Sequence, residues 1–122
     1  MIEGTLITES LRTGTDLEDL RLIVRKICKY RAQGTMPEQP DVWTVLEFEA
    51  EESDAEELAQ AFAAVLEDHP VWYVNFQSPT ESFIVFPGQL FRYPRGNEAG
   101  RAEAQAYGRK FAIPEAQLDW TV

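Results

Sequence analysis

Apolar and polar residues alternate along much of the chain with the two-residue period of β-strands. The clearest case is residues 42–51, where an apolar face alternates with a row of glutamates: Leu46, Phe48 and Ala50 against Glu47, Glu49 and Glu51. A weaker pattern over residues 4–11 predicts a first strand, which the stretch from Thr13 to Thr15 ends. These patterns predict half-buried strands with outward-facing polar side chains.

Residues 16–31 fit either a helix or a strand. As a helix, their apolar stripe is Leu17, Leu20, Val24 and Ile27, with Thr15 and Glu18 in the spacing of a capping box. As a strand over residues 20–31, an apolar face alternates with a basic row: Leu22, Val24, Cys28 and Tyr30 against Arg21, Arg25, Lys29 and Arg31. We favour the strand because β-branched residues are frequent in it. Antiparallel pairing with residues 42–51 would also set the basic row against the glutamates.

Two helices are predicted. Residues 53–67 begin with Ser53 and Glu56 in capping-box spacing and carry one apolar stripe: Ala55, Leu58, Phe62, Val65 and Leu66. Residues 98–112 follow Asn97 as N-cap, and their expected buried side is Ala102, Ala106, Tyr107 and Phe111. Pro70 and Pro114 follow the two helices, because proline cannot continue a helix.

Between the helices, the chain predicts an aromatic-rich meander of three strands, over residues 71–77, 82–86 and 90–93. The middle strand is apolar on both faces, as central strands are. The tail from Leu118 to Trp120 is expected to dock on the body of the protein. The order of elements predicts one α+β domain over residues 1–122, with an antiparallel sheet of about five or six strands. Both helices are expected on one face of the sheet, in a ferredoxin-like or related two-layer sandwich.

The net charge is −10, from 11 basic and 21 acidic residues, and it narrows the choice of partners. Nucleic acid and anionic membranes require a positive field, so we expect neither as a partner. A single cysteine, Cys28, excludes an intrachain disulfide and suits a reducing compartment. The first residues lack the pattern of a signal peptide. We therefore expect a cytoplasmic protein whose partner is another protein with a basic surface, or a second copy of itself.

One segment has the composition of an anion site. The exit of the meander brings three arginines and a glycine to the start of the second helix, where free N–H groups and the helix dipole favour negative charge. Guanidinium groups bind phosphate and carboxylate in bidentate geometry. The candidate ligand-binding residues are Arg92, Tyr93, Arg95, Gly96, Asn97 and Arg101. A capped helix whose arginines pair with surplus carboxylates would give the same sequence.

The sequence contains no catalytic, metal-binding or cofactor-binding motif. His69 is the only histidine, which excludes a multi-histidine metal site, and Cys28 has no base nearby in sequence. We therefore expect no catalytic residue, no metal and no cofactor. The favoured function is a non-enzymatic protein-interaction domain of an inhibitor-like or immunity-like kind. The alternative is a small domain, or a weak enzyme, that binds an anionic ligand at the turn from Arg92 to Asn97.

Overall fold

Six strands and two α-helices make up residues 1–120, the part of the chain that the computed structural model describes. The strands are β1 (Ile2–Ile7), β2 (Ile23–Arg31), β3 (Val42–Ala50), β4 (Val74–Gln77), β5 (Glu81–Phe86) and β6 (Gln89–Pro94). The helices are α1 (Ala55–Val65) and α2 (Glu98–Arg109), with short 3-10 turns at Thr8–Ser10, Glu52–Asp54 and Glu115–Gln117. Within this range, neither helix combines the length and apolar composition needed to cross a membrane. Residues 121 and 122 of the predicted domain lie outside the described range.

The strands form one antiparallel sheet in the order β2-β3-β1-β4-β5-β6. The prediction of a single α+β domain with an antiparallel sheet and two helices is confirmed. The chain order is three strands, a helix, three strands and a helix, whereas ferredoxin-like folds follow β-α-β-β-α-β. The ferredoxin-like arrangement is therefore not confirmed. Strand β1 lies inside the sheet and joins β2 and β3 to the meander of β4, β5 and β6.

The two helices lie on opposite faces of the sheet, so the prediction of both helices on one face is wrong. Strand β5 shows the physical reason. Its successive side chains point to opposite faces, and they are buried on both: Phe83 and Val85 in one core, Ile84 and Phe86 in the other. A strand that is apolar on both faces needs a cover on each. Helix α1 supplies one cover and α2 supplies the other.

Each helix encloses its own core. Under α1, the core centres on aromatic rings whose neighbouring centroids lie 4.8 to 6.4 Å apart: Phe48, Phe62, Phe76 and Phe83. Under α2, the buried residues are Val71, Ile84, Phe86, Tyr93, Ala104, Ile113, Leu118 and Trp120. Leu118 and Trp120 are 2% and 6% exposed, so the predicted docking of the tail is confirmed.

Strand β2 pairs antiparallel with β3, which confirms the strand prediction for this segment. The Nη2 of Arg25 donates to a carboxylate oxygen of Glu49 over 2.9 Å, so one member of the basic row meets the glutamate row as expected. The others do not, because Arg21 pairs with Asp54, Lys29 lies opposite Thr44 and Arg31 pairs with Asp41. The faces of β2 differ from the prediction, because a bulge at Arg25 sets two residues of β2 against one of β3. Val24 therefore faces away from Tyr30, although strict alternation places them together.

Helix α1 begins without the predicted capping box. The turn Glu52–Asp54 leads directly into the helix, and Asp54 at the N-cap makes no side-chain bond to the first turn. Its carboxylate accepts instead from the Nε of Arg21 over 3.1 Å. The predicted apolar stripe is confirmed at Ala55, Leu58 and Phe62, which are all buried. A charge pair with the loop before β2 has replaced the local cap.

Helix α2 begins at the predicted cap, where Asn97 Oδ1 accepts from the backbone N–H of Gly100 over 2.9 Å. Its buried side differs from the prediction. Small residues face the sheet, namely Gly100, Ala104 and Gly108, whereas Ala102, Ala106 and Phe111 are exposed. Tyr107 is the one residue of the predicted side that packs on the core. A Cβ on Gly100 would lie 2.5 Å from the Cβ of Tyr93. The helix therefore packs on β6 at a distance that only glycine allows at this position.

Candidate functional site

The face of the sheet that carries α2 is only partly covered, because α2 packs over β5 and β6 and leaves β1, β3 and β4 open. Two rows of polar side chains cross these open strands. The strand register sets Glu49, Glu3 and Gln77 in one row and Glu47, Thr5 and Asn75 in the next. The rows form the floor of an open groove of about 430 Å³, here named the acidic groove. Its other lining residues are Gly4, Arg25, Phe48, Asp119 and Trp120.

The acidic groove is strongly negative. Its carboxylates come from Glu3, Glu47, Glu49 and Asp119, and Arg25 is the one cationic side chain among its described lining residues. The formal charge of the lining is therefore three negative, and Lys26, whose Nζ lies 3.8 Å from Glu47 Oε2, reduces the local charge to two negative. The hydrogen bond from Arg25 lowers the pKa of Glu49 below its ordinary value, so Glu49 stays ionised.

Two of these carboxylates belong to directly opposed residues on neighbouring strands. Glu3 of β1 pairs with Glu49 of β3 in the antiparallel register. Like charges in this position destabilise a strand pair. Arg25 balances Glu49 on the side of β2, while Glu3 is exposed on the groove floor. Neutral residues at these two positions would avoid the repulsion. A residue pair that lowers the stability of a sheet in this way is characteristic of a functional surface.

The C-terminal segment forms one wall of the acidic groove. Two hydrogen bonds hold it: Trp120 Nε1 donates to the hydroxyl of Tyr93 over 2.8 Å, and Gln105 Nε2 donates to the carbonyl of Leu118 over 2.8 Å. Since the side chains of Leu118 and Trp120 are buried, the side chain of Asp119 between them is exposed and lines the groove. The tail therefore positions a fourth carboxylate opposite those of the sheet.

A second cavity of about 340 Å³ continues from the acidic groove and shares three residues with it, Thr5, Asn75 and Asp119. Four aromatic side chains contribute to its lining, so it is named the aromatic hollow: Tyr30, Trp43, Trp72 and Tyr73, together with Ile7, Gln33, Ala116 and Gln117. The ring centroids of Trp43 and Trp72 are 5.1 Å apart, at an interplanar angle of 60°. The groove and the hollow thus form one depression with an acidic half and an aromatic half.

Side-chain amides close the far end of the aromatic hollow. Gln117 Nε2 donates to the carbonyl of Gly34 and to Oε1 of Gln39, each over 3.0 Å. The carbonyl of Gln117 accepts from the hydroxyl of Tyr73. Burial raises the pKa of Tyr73, and the charge of Asp119 raises it further, so the hydroxyl remains a donor. These bonds tie the loop after β2 to the C-terminal segment and fix the ring of Tyr73.

The predicted anion-site residues do not converge around one point. Arg92 and Tyr93 are successive residues of β6, so their side chains point to opposite faces of the sheet. Arg92 lies over the ring of Phe83 and donates to both carboxylate oxygens of Glu81, over 2.7 and 2.8 Å. This pairing lowers the pKa of Glu81. Tyr93 is buried in the core under α2.

The other predicted anion-site residues serve local structure. Arg95 Nη1 donates to the carbonyl of Ser78 over 3.4 Å, Gly96 adopts a left-handed turn with φ of 85°, and Asn97 caps α2. The Nε of Arg101 is buried without a hydrogen-bond partner among residues 1–120. Anion binding at this turn stays a prediction, because no ligand geometry tests it.

One surface cluster has ligand types that metals use. Glu67, Asp68 and His69 place one possible ligand atom each within 4.8 Å of one another. His69 Nδ1 lies 2.7 Å from Asp68 Oδ1, and this contact lowers the pKa of Asp68. Asp68 and His69 are exposed, and the side-chain pair explains their proximity. The cluster therefore carries no argument for a metal.

The outward glutamates of β3 were predicted from the sequence, but the acidic groove was not. The available signal was polar alternation in separate segments: Glu3 and Thr5 in β1, and Asn75 and Gln77 in β4. That alternation does not indicate that β1 lies between β3 and β4. The contribution of Asp119 depends further on how the tail docks.

The described surface thus brings four carboxylates and four aromatic side chains together over the open part of the sheet. Carboxylates attract cations, and aromatic faces do so through their quadrupoles. The arrangement therefore favours binding of a positively charged group. Comparisons with protein-family models, with curated proteins and with solved structures give no match to this chain.

Proposed function

We propose that this protein is a non-enzymatic interaction domain whose acidic groove holds an extended, cationic segment of a partner protein. The observation that supports this most directly is the opposed pair Glu3 and Glu49 on the open floor of the groove. Arg25 balances Glu49 in the free protein, while the carboxylate of Glu3 is exposed. A Lys or Arg side chain of the partner, placed between the two carboxylates, would add an attraction at this opposed pair.

The spacing of the floor also matches an extended segment. The two polar rows are two residues apart along each strand, which is about 6.7 Å at the usual rise of a strand. Side chains on one face of an extended peptide repeat at the same distance. A segment with basic residues at alternate positions therefore reaches both rows at once. Asp119 on the wall adds a further carboxylate to the same segment.

An inhibitor-like or immunity-like role fits this surface. A small acidic domain with a net charge of −10 attracts a basic protein over a distance, which raises the association rate at low salt. The acidic groove then supplies the local contacts. The proposal includes no chemical reaction, because binding alone accounts for the arrangement of carboxylates in the acidic groove.

The test compares two variants that lose the same charge in different places. The groove variant is Glu3→Gln with Glu47→Gln, and the matched control is Glu98→Gln with Glu103→Gln on α2, outside the groove lining. The probe is a synthetic peptide of about ten residues with lysine at alternate positions. Calorimetric titration at low salt is expected to show at least about tenfold weaker binding for the groove variant and little change for the control.

Equal losses in both variants would show that net charge, and not the groove, attracts the peptide. Absence of binding to the unmodified protein at about millimolar peptide would also remove the proposal. A scrambled peptide with its lysines in one block serves as the second control. It should bind more weakly, because about half of its lysines then point away from the groove floor.

Anion binding at the start of α2 is the second proposal, and the buried, unpartnered Nε of Arg101 within residues 1–120 favours it. Inorganic phosphate should then raise the melting temperature of the protein, and Arg101→Ala should abolish that rise. The absence of any shift at about 10 mM phosphate would contradict anion binding.

Self-association through the outer edge of β2 is the third proposal. This edge strand carries most of the exposed large apolar residues of the described chain, namely Ile23, Val24, Ile27 and Tyr30. Unpaired edges of this kind are sites of strand addition. Sedimentation that shows only a monomer at high protein concentration would rule this route out.

A further inference from the structure

The aromatic hollow has the features of a site for one particular kind of cation. Four of its eleven lining residues are aromatic, and three of them come from the interior of the structure: Trp43, Trp72 and Tyr73. Trp43 and Trp72 are 7% and 4% exposed, so packing holds their rings in place. Tyr30 differs, because it is 50% exposed on the edge strand β2. The hollow therefore has a rigid base, at which the two indoles present only small parts of their rings, and one accessible ring at its rim.

Charge inside the aromatic hollow has one sign. Asp119 is the one charged side chain among its described lining residues. Its negative charge reaches the ring of Tyr73, whose pKa it raises in addition to the larger effect of burial. Aromatic faces are also negative, because of the ring quadrupole. The charge of Asp119 and the aromatic faces therefore both favour a cation at this end of the depression.

We propose that the aromatic hollow binds a methylated ammonium group. Plain ammonium is strongly hydrated and requires hydrogen-bond acceptors, whereas a methylated ammonium presents apolar methyl groups around a positive charge and suits an aromatic wall. The group is either a trimethylated lysine in the partner segment or a free choline-like molecule. The inference rests on the proposed function in one respect, namely that a lysine-bearing segment in the acidic groove would continue into the hollow.

The first experiment uses choline and its neutral isostere 3,3-dimethyl-1-butanol, which has the same shape without the charge. Nuclear magnetic resonance follows the indole N–H signals of the protein during titration. Choline is expected to move the signals of Trp43 and Trp72. The signal of Trp120 should move less, because Trp120 does not line the hollow. The neutral isostere should leave all three signals unchanged.

Two variants of Tyr30, the residue at the rim, distinguish the contribution of its aromatic ring to choline binding from that of its hydroxyl. Tyr30→Ala should weaken choline binding about three- to tenfold, and Tyr30→Phe should retain it. Both substitutions leave the core intact, since Tyr30 is half-exposed. Asp119→Asn should also weaken choline binding. Equal binding of choline and the isostere, or no response to choline at about 50 mM, would overturn the inference.

A second arm identifies the source of the group and separates this inference from the proposed function. Peptides with alternating lysines are compared with and without one trimethylated lysine, against the unmodified protein and the variant Glu3→Gln with Glu47→Gln. If methylation improves peptide affinity and Tyr30→Ala removes the improvement, the source is a methylated segment. If choline binds and no peptide does, the hollow binds a free cation. The proposed function is then wrong, while the inference about the hollow stands. If the peptide binds but methylation and choline have no effect, the inference fails alone.

Discussion

The substitution Gly100→Ala tests the packing of α2 on the sheet, because two physical effects predict opposite signs for it. Alanine is a better helix former than glycine by about 1 kcal/mol, so helix propensity alone predicts a more stable protein. The structure predicts a less stable protein. The new Cβ would lie 2.5 Å from the Cβ and 2.6 Å from the Cγ of Tyr93.

The size of the loss follows from these distances. Carbon atoms in ordinary contact are about 3.5–4.0 Å apart, so α2 or β6 must move by about 1 Å. The Cβ of Tyr93 is bonded to the backbone and cannot rotate away. Overpacking of this kind destabilises by about 1–3 kcal/mol, and we expect the upper part of that range. After the gain in propensity, the net loss in unfolding free energy is about 1–2 kcal/mol.

The assay is urea and thermal unfolding of the variant beside the unmodified protein. A net loss of this size lowers the melting temperature by about 4–8 °C in a domain of this length. The control is Ala102→Gly, an exposed position on the same helix, which should lose about 1 kcal/mol through propensity alone. A Gly100→Ala protein that is as stable as the original, or more stable, would refute the close packing of α2 on Tyr93.

Substitutions at three further positions test other parts of the structure. Asn97→Ala should lower the unfolding free energy by about 1 kcal/mol and Asn97→Gly by only a few tenths, and equal losses would argue against the cap. Glu3→Gln should raise the melting temperature slightly, by about 1 °C, by relieving the opposed carboxylates, whereas a decrease would show that they do not repel. Arg92 lowers the pKa of Glu81 in the folded protein. The ion pair therefore stabilises the fold fully above the pKa of Glu81 in the unfolded chain, about 4.3, and this stabilisation is lost as pH falls through the pKa of Glu81 in the folded protein. Glu81→Gln should therefore remove about 0.5–1 kcal/mol at pH 6 and less at pH 3, and an equal loss at both values would contradict the ion pair.

The sheet segments were predictable from the sequence because each strand has its own periodicity. The glutamate alternation of β3 and the apolar run of β5 both describe how one strand is buried, and the structure confirms both. The faces of β2 were not predictable, because the bulge at Arg25 interrupts the alternation without leaving a glycine or proline signal. A capping box at Ser53 was equally plausible from sequence, but tertiary contacts of Asp54 with Arg21 decided that helix start.

The acidic groove and the aromatic hollow depend on relations between segments that are far apart in the chain. The sequence alone determined an acidic α+β protein with three-strand groups, two helices and a buried aromatic meander, because periodicity and turn residues act locally. Only the tertiary structure decided that the helices lie on opposite faces, that β1 separates β3 from β4, and that the tail presents Asp119 beside them. The placement of the helices follows from burying both faces of β5 at once. The position of β1 and the exposure of Asp119 follow from strand pairing and tail contacts between segments that are far apart in the chain.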